Sequence, residues 1–343
     1  MMRLPLSWLL AFTTAALALL LLGSLATGPM TLTLGESLWA LFAGQESGIE
    51  SHKLLIVQEI RLPRTLLCIA VGGILGLCGA VMQGLFRNPL ADPGIIGVSG
   101  GAALGAALAI VLLAPLGQQL QATIGVGLLP LLAFLGGALT TTLVYLLGTR
   151  EGGTSVTVML LAGVAITALS GAVIGLLTYL ADDQMLRNLS LWQMGTLAAG
   201  KPADVALALL TLVALLWLFM RDANPLNALL LGEGEAHHLG VNVQSLKRRL
   251  ILLTAAGVGV AVAVSGMIGF VGLVVPHLVR LLAGPNHVRL LPLSALLGAA
   301  LLLAADMLAR TLLAPAELPV GIITALLGAP FFIWLLVKGR RAL

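Results

Sequence analysis

Charge is scarce in this chain: 9% of its 343 residues are Asp, Glu, Lys or Arg, against about 25% in a soluble globular domain. That excludes an ordinary water-soluble protein. The net charge of +4 comes from residues in short segments between apolar runs, where they act as topology signals. No basic patch interleaved with aromatics occurs, so nucleic acid is not expected as a partner. Cysteine is nearly absent. Cys68 and Cys78 lie ten positions apart in one apolar run, off a common helix face, and read as small buried hydrophobes.

A nucleotide site lacks one of its parts. Gly195 to Lys201 reads G-x-x-x-x-G-K, but Pro202 stands where a phosphate-binding loop needs a Ser or Thr hydroxyl for Mg²⁺. The preceding LRNLSLWQ is not the buried β-branched strand that such a loop follows. The chain is not expected to hydrolyse ATP itself.

What is present is apolar length. Runs long enough to cross a hydrocarbon layer of about 30 Å recur throughout, and they predict one all-α polytopic membrane domain over 1–343. The expected spans are 8–27, 62–82, 94–113, 125–147, 156–180, 204–219, 250–265, 268–282, 290–312 and 320–337. The first resembles a signal peptide, with Ser24-Leu25-Ala26 offering small residues for cleavage. It is longer than a usual signal segment and is read as a retained span.

Residues 250–282 would pass for one long helix. A single crossing there would put Lys247, Arg248 and Arg249 on the opposite side from Arg289. The positive-inside rule favours two crossings, with a break at Ser265-Gly266 and with Pro276 bending or shortening the next helix. Both termini are then cytoplasmic. Arg3, Arg87, Arg150, Arg221, Arg280 and the C-terminal Lys338, Arg340 and Arg341 join the cytoplasmic set, while Lys53, Arg61, Arg64, Arg187, Lys201 and Arg310 lie outside. The histidines form no metal site on this topology: His52 is outside, and His237, His238, His277 and His287 are cytoplasmic or near it. Glycine pairs four apart, Gly72 with Gly76, Gly101 with Gly105 and Gly171 with Gly175, predict close helix packing.

Few residues in the spans carry chemistry. Gly97-Val98-Ser99-Gly100 is a G-x-S-G, and with His277 on a later span it raises an intramembrane serine protease, which needs that Ser and His within hydrogen-bond reach. Small residues at a helix entry account for the motif as well. Asp306 is the one carboxylate well inside an expected span, which suggests an ion or proton relay and an ion-coupled carrier; Arg310, four residues on, suggests an i, i+4 ion pair instead. Arg61 and Arg64 stand at the outer mouth of the second span and Arg310 at the outer end of the ninth. They read either as snorkelling anchors or as cations offered to an acidic partner outside. The largest cytoplasmic loop, 220–249, carries a helical stretch that stops at Gly240 before another short helix, a knob suited to a cytoplasmic partner.

At these residues the sequence resembles the permease subunits of the iron-siderophore, haem and cobalamin ABC importer family. The resemblance runs from about Ile60 to Lys338. It is carried by RLPR at 61–64, GAVMQGLFRNPLADPGIIGVSGGAALG from Gly79, LGEGEAHHLG at 231–240, GFVGLVVPHLVR at 269–280 and AELPVGIITALLGAPFFIWLL at 316–336. It implies the type II importer permease fold of ten spans, a homodimer with a central pathway, two cytoplasmic ATPase subunits and one periplasmic substrate-binding protein, in the bacterial inner membrane. ATP would be hydrolysed on the partner chain. Leu231, Gly232, Glu233, Ala236, Leu239 and Gly240 match the family's coupling-helix pattern. Arg61, Arg64 and Arg310 match its outer arginines that meet glutamates of the binding protein. The family's cytoplasmic gate lies at the start of the fifth span, where Thr154, Ser155 and Thr157 are the candidates. Ser99 and His277 fall inside family blocks, which weakens the protease reading.

Residues 178–197 look most like the haem-importing branch, which has a similar D-x-x-L-R-x-x-x-x-W-x-M-G pattern, here Asp183, Leu186, Arg187, Trp192, Met194 and Gly195. Arg187 would pair with a haem propionate, and Trp192 and Met194 would offer an aromatic face and a soft surface to the ring. Haem enters this reading as cargo, with no resident cofactor or metal. A ferric siderophore or cobalamin is the alternative cargo. An interfacial Trp192 and a solvated Arg187 remain the plainer alternative.

Overall fold

The computed structural model describes residues 5–30, 32–42, 50–114, 116, 127–150, 153–198 and 200–340. Helices α1 (Leu6–Ala26), α2 (Leu34–Phe42), α3 (Ser51–Leu85), α4 (Val98–Val111) and α5 (Leu128–Gly148) lead to a two-stranded hairpin. Its strands, β1 (Thr149–Arg150) and β2 (Gly153–Thr154), pair Thr149 with Thr154. There follow α6 (Val156–Leu180), α7 (Asp183–Gln193), α8 (Pro202–Arg221), α9 (Ala223–Leu229) and α10 (Glu233–His238). The chain ends with α11 (Val243–Ser265), α12 (Val271–Ala283), α13 (His287–Ala309) and α14 (Val320–Arg340). Arg3 and Arg341 lie outside the described residues, as does the start of the expected 125–147 span.

Among the described residues, α1, α3, α5, α6, α8, α11 and α13 are long and apolar enough to cross a membrane, and α4, α12 and α14 contribute shorter apolar stretches. These are the ten expected spans with several boundaries moved: the second helix runs back to Ser51, the ninth lies three residues earlier at each end, and the third, seventh and eighth start elsewhere. The third helix starts only at Val98, because Pro93–Ile96 form a 3-10 turn capped by Asp92, which accepts from the Gly94 N–H at 2.7 Å. The seventh starts at Val243 rather than 250. Asn242 caps it by accepting from the Ser245 N–H at 3.0 Å, and the buried stripe Val243, Leu246, Leu250 carries it through the basic run. The eighth starts at Val271, three residues late.

Helix α3 is central and buried almost all round from Thr65 to Leu85, as expected of a helix apolar on every face. It packs on α8, α11, α12 and, most extensively, α13. Gly72 and Gly76 allow that approach: a Cβ on either would overlap the main-chain oxygen of Gly298 or Ser294. Gly101 and Gly105 play the same part between α4 and α5. Gly171 and Gly175 do not, for nothing lies within 4 Å of where their Cβ atoms would be. Helix α6, which carries them, leaves Leu161, Val164, Leu169, Leu176 and Tyr179 exposed.

The break at Ser265-Gly266 lies where the sequence places it. Residues 266–270 are not helical, and they pack against the linker after α7 and the start of α14: a Cβ on Gly266 would overlap Trp192 O, and one on Gly195 or Gly321 would crowd Met267 O. Irregular backbone at membrane depth is tolerated there because protein surrounds it.

Candidate functional site

The charge asymmetry makes the end holding Arg87, Arg221, Arg248 and Arg289 the inner one. Two constellations matter, one at each end.

At the inner end, α9 and α10 form a knob between α8 and α11. Gly232 at φ +124° turns the chain into α10, and Gly240 at φ +83° ends it. The ending is a Schellman motif, with the Val241 N–H donating to Ala236 O at 3.0 Å and the Gly240 N–H to His237 O at 2.9 Å. Ala236 is fully buried and seats the helix, while Leu231 and Leu239 are 67% and 64% exposed. Two apolar side chains thus project on either side of a short, anchored helix. The helix after the knob is the long α11, not the short one expected. Its second turn holds Arg249, paired with Asp222, and Lys247, which is 2% exposed.

Sequence reasoning grouped Lys247 with Arg248 and Arg249 as topology charges and missed what it does. Its ammonium donates to Glu233 Oε1 at 2.7 Å and to Thr154 O at 3.0 Å. Gln244, one turn earlier, accepts from the Thr154 N–H at 3.0 Å. Thr154, in β2, is buried; Ser155 and Thr157 are exposed, with Ser155 at the N-cap of α6.

At the outer end, the three arginines expected to face a partner are turned inward instead. Arg61, Arg64 and Arg310 are 3%, 6% and 2% exposed. Arg61 donates to Leu25 O at 2.6 Å, to Ala26 O at 2.8 Å and to Met30 O. Arg64 meets Asp306 at 2.9 Å and Glu317 at 2.8 Å. Arg310 meets Asp306 at 3.3 Å and donates to Ser24 Oγ at 2.6 Å. The physical reason is stoichiometric. A fully buried Asp306 must be compensated, and the two nearest cations lock onto it. That geometry fits an ion-pair cluster rather than a relay.

Arg187 is exposed on α7, whose N-cap Asp182 accepts from the Met185 N–H at 2.7 Å. Trp192 is not presented as a ring face: it is 8% exposed and belongs to the main core, because five residues of helix turn it well away from Arg187. Met194 is partly buried, with its carbonyl held by Gly321. Arg187 is thus exposed on α7, and Trp192 is packed into the core. Gly195 to Lys201 is the linker into α8, with Pro202 in that helix's first turn. His277 has an unpartnered Nδ1 and meets the Phe331 ring edge-on. Among the described residues no His, Cys, Asp and Glu group could hold a metal ion.

Among the described residues, ten apolar helices, nine of them arranged about the buried central α3, with a capped knob at the basic end, define a membrane permease. The chain matches the FecCD transport family over residues 16–338. It is 47% identical over 336 residues to the hemin transport system permease protein HmuU of Yersinia pestis, covering 97% of this chain and 96% of that one. It is 42% identical over 334 residues to the vitamin B12 import system permease protein BtuC of Shigella boydii, again covering 97% and 96%. An inward-facing structure of a metal-chelate type ABC transporter superposes with a TM-score of 0.82 at 34% identity, over 97% of this chain and all of that one. The chain belongs to the FecCD family: it is an ABC importer permease and a multi-pass inner-membrane protein.

Proposed function

We propose that the chain is the permease of a haem importer, taking haem from a periplasmic binding protein and passing it to the cytoplasm by alternating access. The observation that carries the cargo reading is the 47% identity with a hemin permease across nearly the whole chain. The exposed Arg187, one helical turn into α7, supports it, since a guanidinium suits a propionate. Cobalamin is the second reading, favoured by 42% identity with a vitamin B12 permease.

In this reading the assembly is a homodimer with two ATPase subunits, which hydrolyse ATP, and one binding protein; both termini are cytoplasmic. The open glycine face of α6 is suited to the second copy. Leu231, Gly232, Glu233, Ala236, Leu239 and Gly240 form the knob that seats in the ATPase, and Thr154, Ser155 and Thr157 form the inner gate. Arg61, Arg64 and Arg310 serve docking indirectly, by holding α1, α3 and α13 in the shape that the binding protein meets.

The test is uptake into proteoliposomes holding this chain and its ATPase, with ATP inside and loaded binding protein outside. Hemin, cyanocobalamin and a ferric siderophore are supplied in separate runs. ATP-dependent hemin uptake that falls when Arg187 becomes Gln supports the proposal, and uptake of another cargo in its place overturns the haem assignment.

A further inference from the structure

The geometry points to Lys247 and Gln244 as the link that carries motion of the ATPase-docking knob to the inner gate, an inference that rests on reading the chain as an importer permease. The two side chains sit one turn apart at the start of α11 and grip both main-chain polar groups of one residue. Gln244 takes the Thr154 N–H at 3.0 Å and Lys247 gives to the Thr154 carbonyl at 3.0 Å. The grip ignores the threonine side chain, which turns instead to Thr149 Oγ1 at 3.1 Å. Gly153 makes room for it: at φ +111°, a Cβ there would overlap the Gln244 amide.

The other end of the link is Glu233, the first residue of α10. A buried ammonium needs a counter-charge, and Glu233 supplies it at 2.7 Å from a side chain that is itself 45% exposed. Glu233 travels with the knob. Two of the three Lys247 donors are spent on the knob and the strap, so a displacement of α10 either drags the Thr154 peptide or strands a charge in the interior. The strap has little slack. The Ser155 N–H is tied back to Gly148 O at 2.8 Å, and α6 begins at the next residue. Pulling Thr154 therefore acts on the Thr149 to Thr154 pairing and on the first turn of α6, where the gate lies. Arg248 and Arg249 cannot substitute: Arg248 is exposed, and Arg249 is committed to Asp222.

Lys247 and Gln244 are positioning residues, and the readout that separates this role from simple stability is uptake per ATP hydrolysed. The experiment uses the reconstituted complex with binding protein, hemin as the probe and cyanocobalamin in parallel. Lys247→Met keeps ATP hydrolysis within about twofold of the parent while uptake per ATP falls about tenfold, whereas Lys247→Arg, which keeps donors for both Glu233 and the Thr154 carbonyl, retains most of the parent's ratio. Gln244→Leu, which touches no charge, gives a smaller loss of the same kind and decides the matter if Lys247→Met fails to reach the membrane. An unchanged ratio in both variants overturns the link. So does loss of ATPase co-purification with Lys247→Met, which would make the lysine a prop for the knob alone. A parent complex that moves neither probe overturns the haem and cobalamin readings of the cargo, and is told apart from the other outcomes because no variant is needed to see it.

Discussion

Arg64 and Asp306 are 242 positions apart in the chain and in contact in the fold, with Arg64 Nε 3.0 Å from Asp306 Oδ1. The pair joins α3 to α13 at the outer end, and Arg310 closes it from the other side. Breaking one partner of a buried ion pair costs about 3–5 kcal/mol, whereas replacing the whole set with apolar residues is often neutral. Asp306→Asn is therefore expected to lower the melting temperature of the detergent-solubilised protein sharply. Exchanging Arg64, Asp306 and Arg310 together for Met, Leu and Met is expected to cost less than that single change. A thermal-shift series on the purified variants checks the ordering.

The knob separates docking from folding. Leu239→Asp alters an exposed side chain and is expected to leave the melting temperature within about 0.5 kcal/mol equivalent of the parent, while abolishing capture of the ATPase in a pull-down. Ala236→Leu works the other way. It overpacks a fully buried seat and should destabilise by about 1–3 kcal/mol.

Two glycines on different helices should give opposite phenotypes. Gly76→Leu cannot be accommodated against Ser294 and is expected to remove folded protein from the membrane fraction. Gly171→Leu meets nothing within the chain and is expected to leave the monomer's melt unchanged while lowering the dimer fraction seen by size exclusion with light scattering.

On the outer side, the segment before α2 responds to acid. The Thr33 N–H and hydroxyl, both 2.8 Å from Glu36 Oε2, and the Lys53 ammonium at 2.9 Å from Oε1 hold the Glu36 carboxyl down to about 2, below its ordinary 4.5. Because the folded value is the lower one, the stabilisation is present above pH 4.5 and is lost as the pH falls towards 2. Protection of the Glu36 and Ser37 amides, measured as exchange relative to the intrinsic rate at each pH, should fall over that window, and Glu36→Gln should flatten the response.

Hydropathy and charge made most of this fold legible. The ten spans and the break at Ser265-Gly266 follow from the length of apolar runs and from the placement of Lys247, Arg248, Arg249 and Arg289. The knob was legible because a helical stretch in the largest cytoplasmic loop stops at Gly240, and because the family pattern at 231–240 falls on that stretch. What escaped depends on which way a side chain turns. Lys247 sits in a run of three cations, and only the fold separates the buried one from its exposed neighbours. The Arg310–Asp306 pair was legible from its i, i+4 spacing, but the main-chain oxygens that hold Arg61 and the carboxylate that holds Arg64 lie on distant segments, so the inward turn of those two left no local signal. Trp192 shares a short amphipathic helix with Arg187, and the spacing that put both in one motif also put them on different faces.

The stretch 266–270 gives α12 an unusual mechanical standing. With 13 residues, α12 is about 20 Å long, too short for a hydrocarbon layer of about 30 Å, and the non-helical residues 266–270 extend the crossing. The two helices are therefore separate rods joined by a linker that neighbouring segments hold in place, rather than one bent rod.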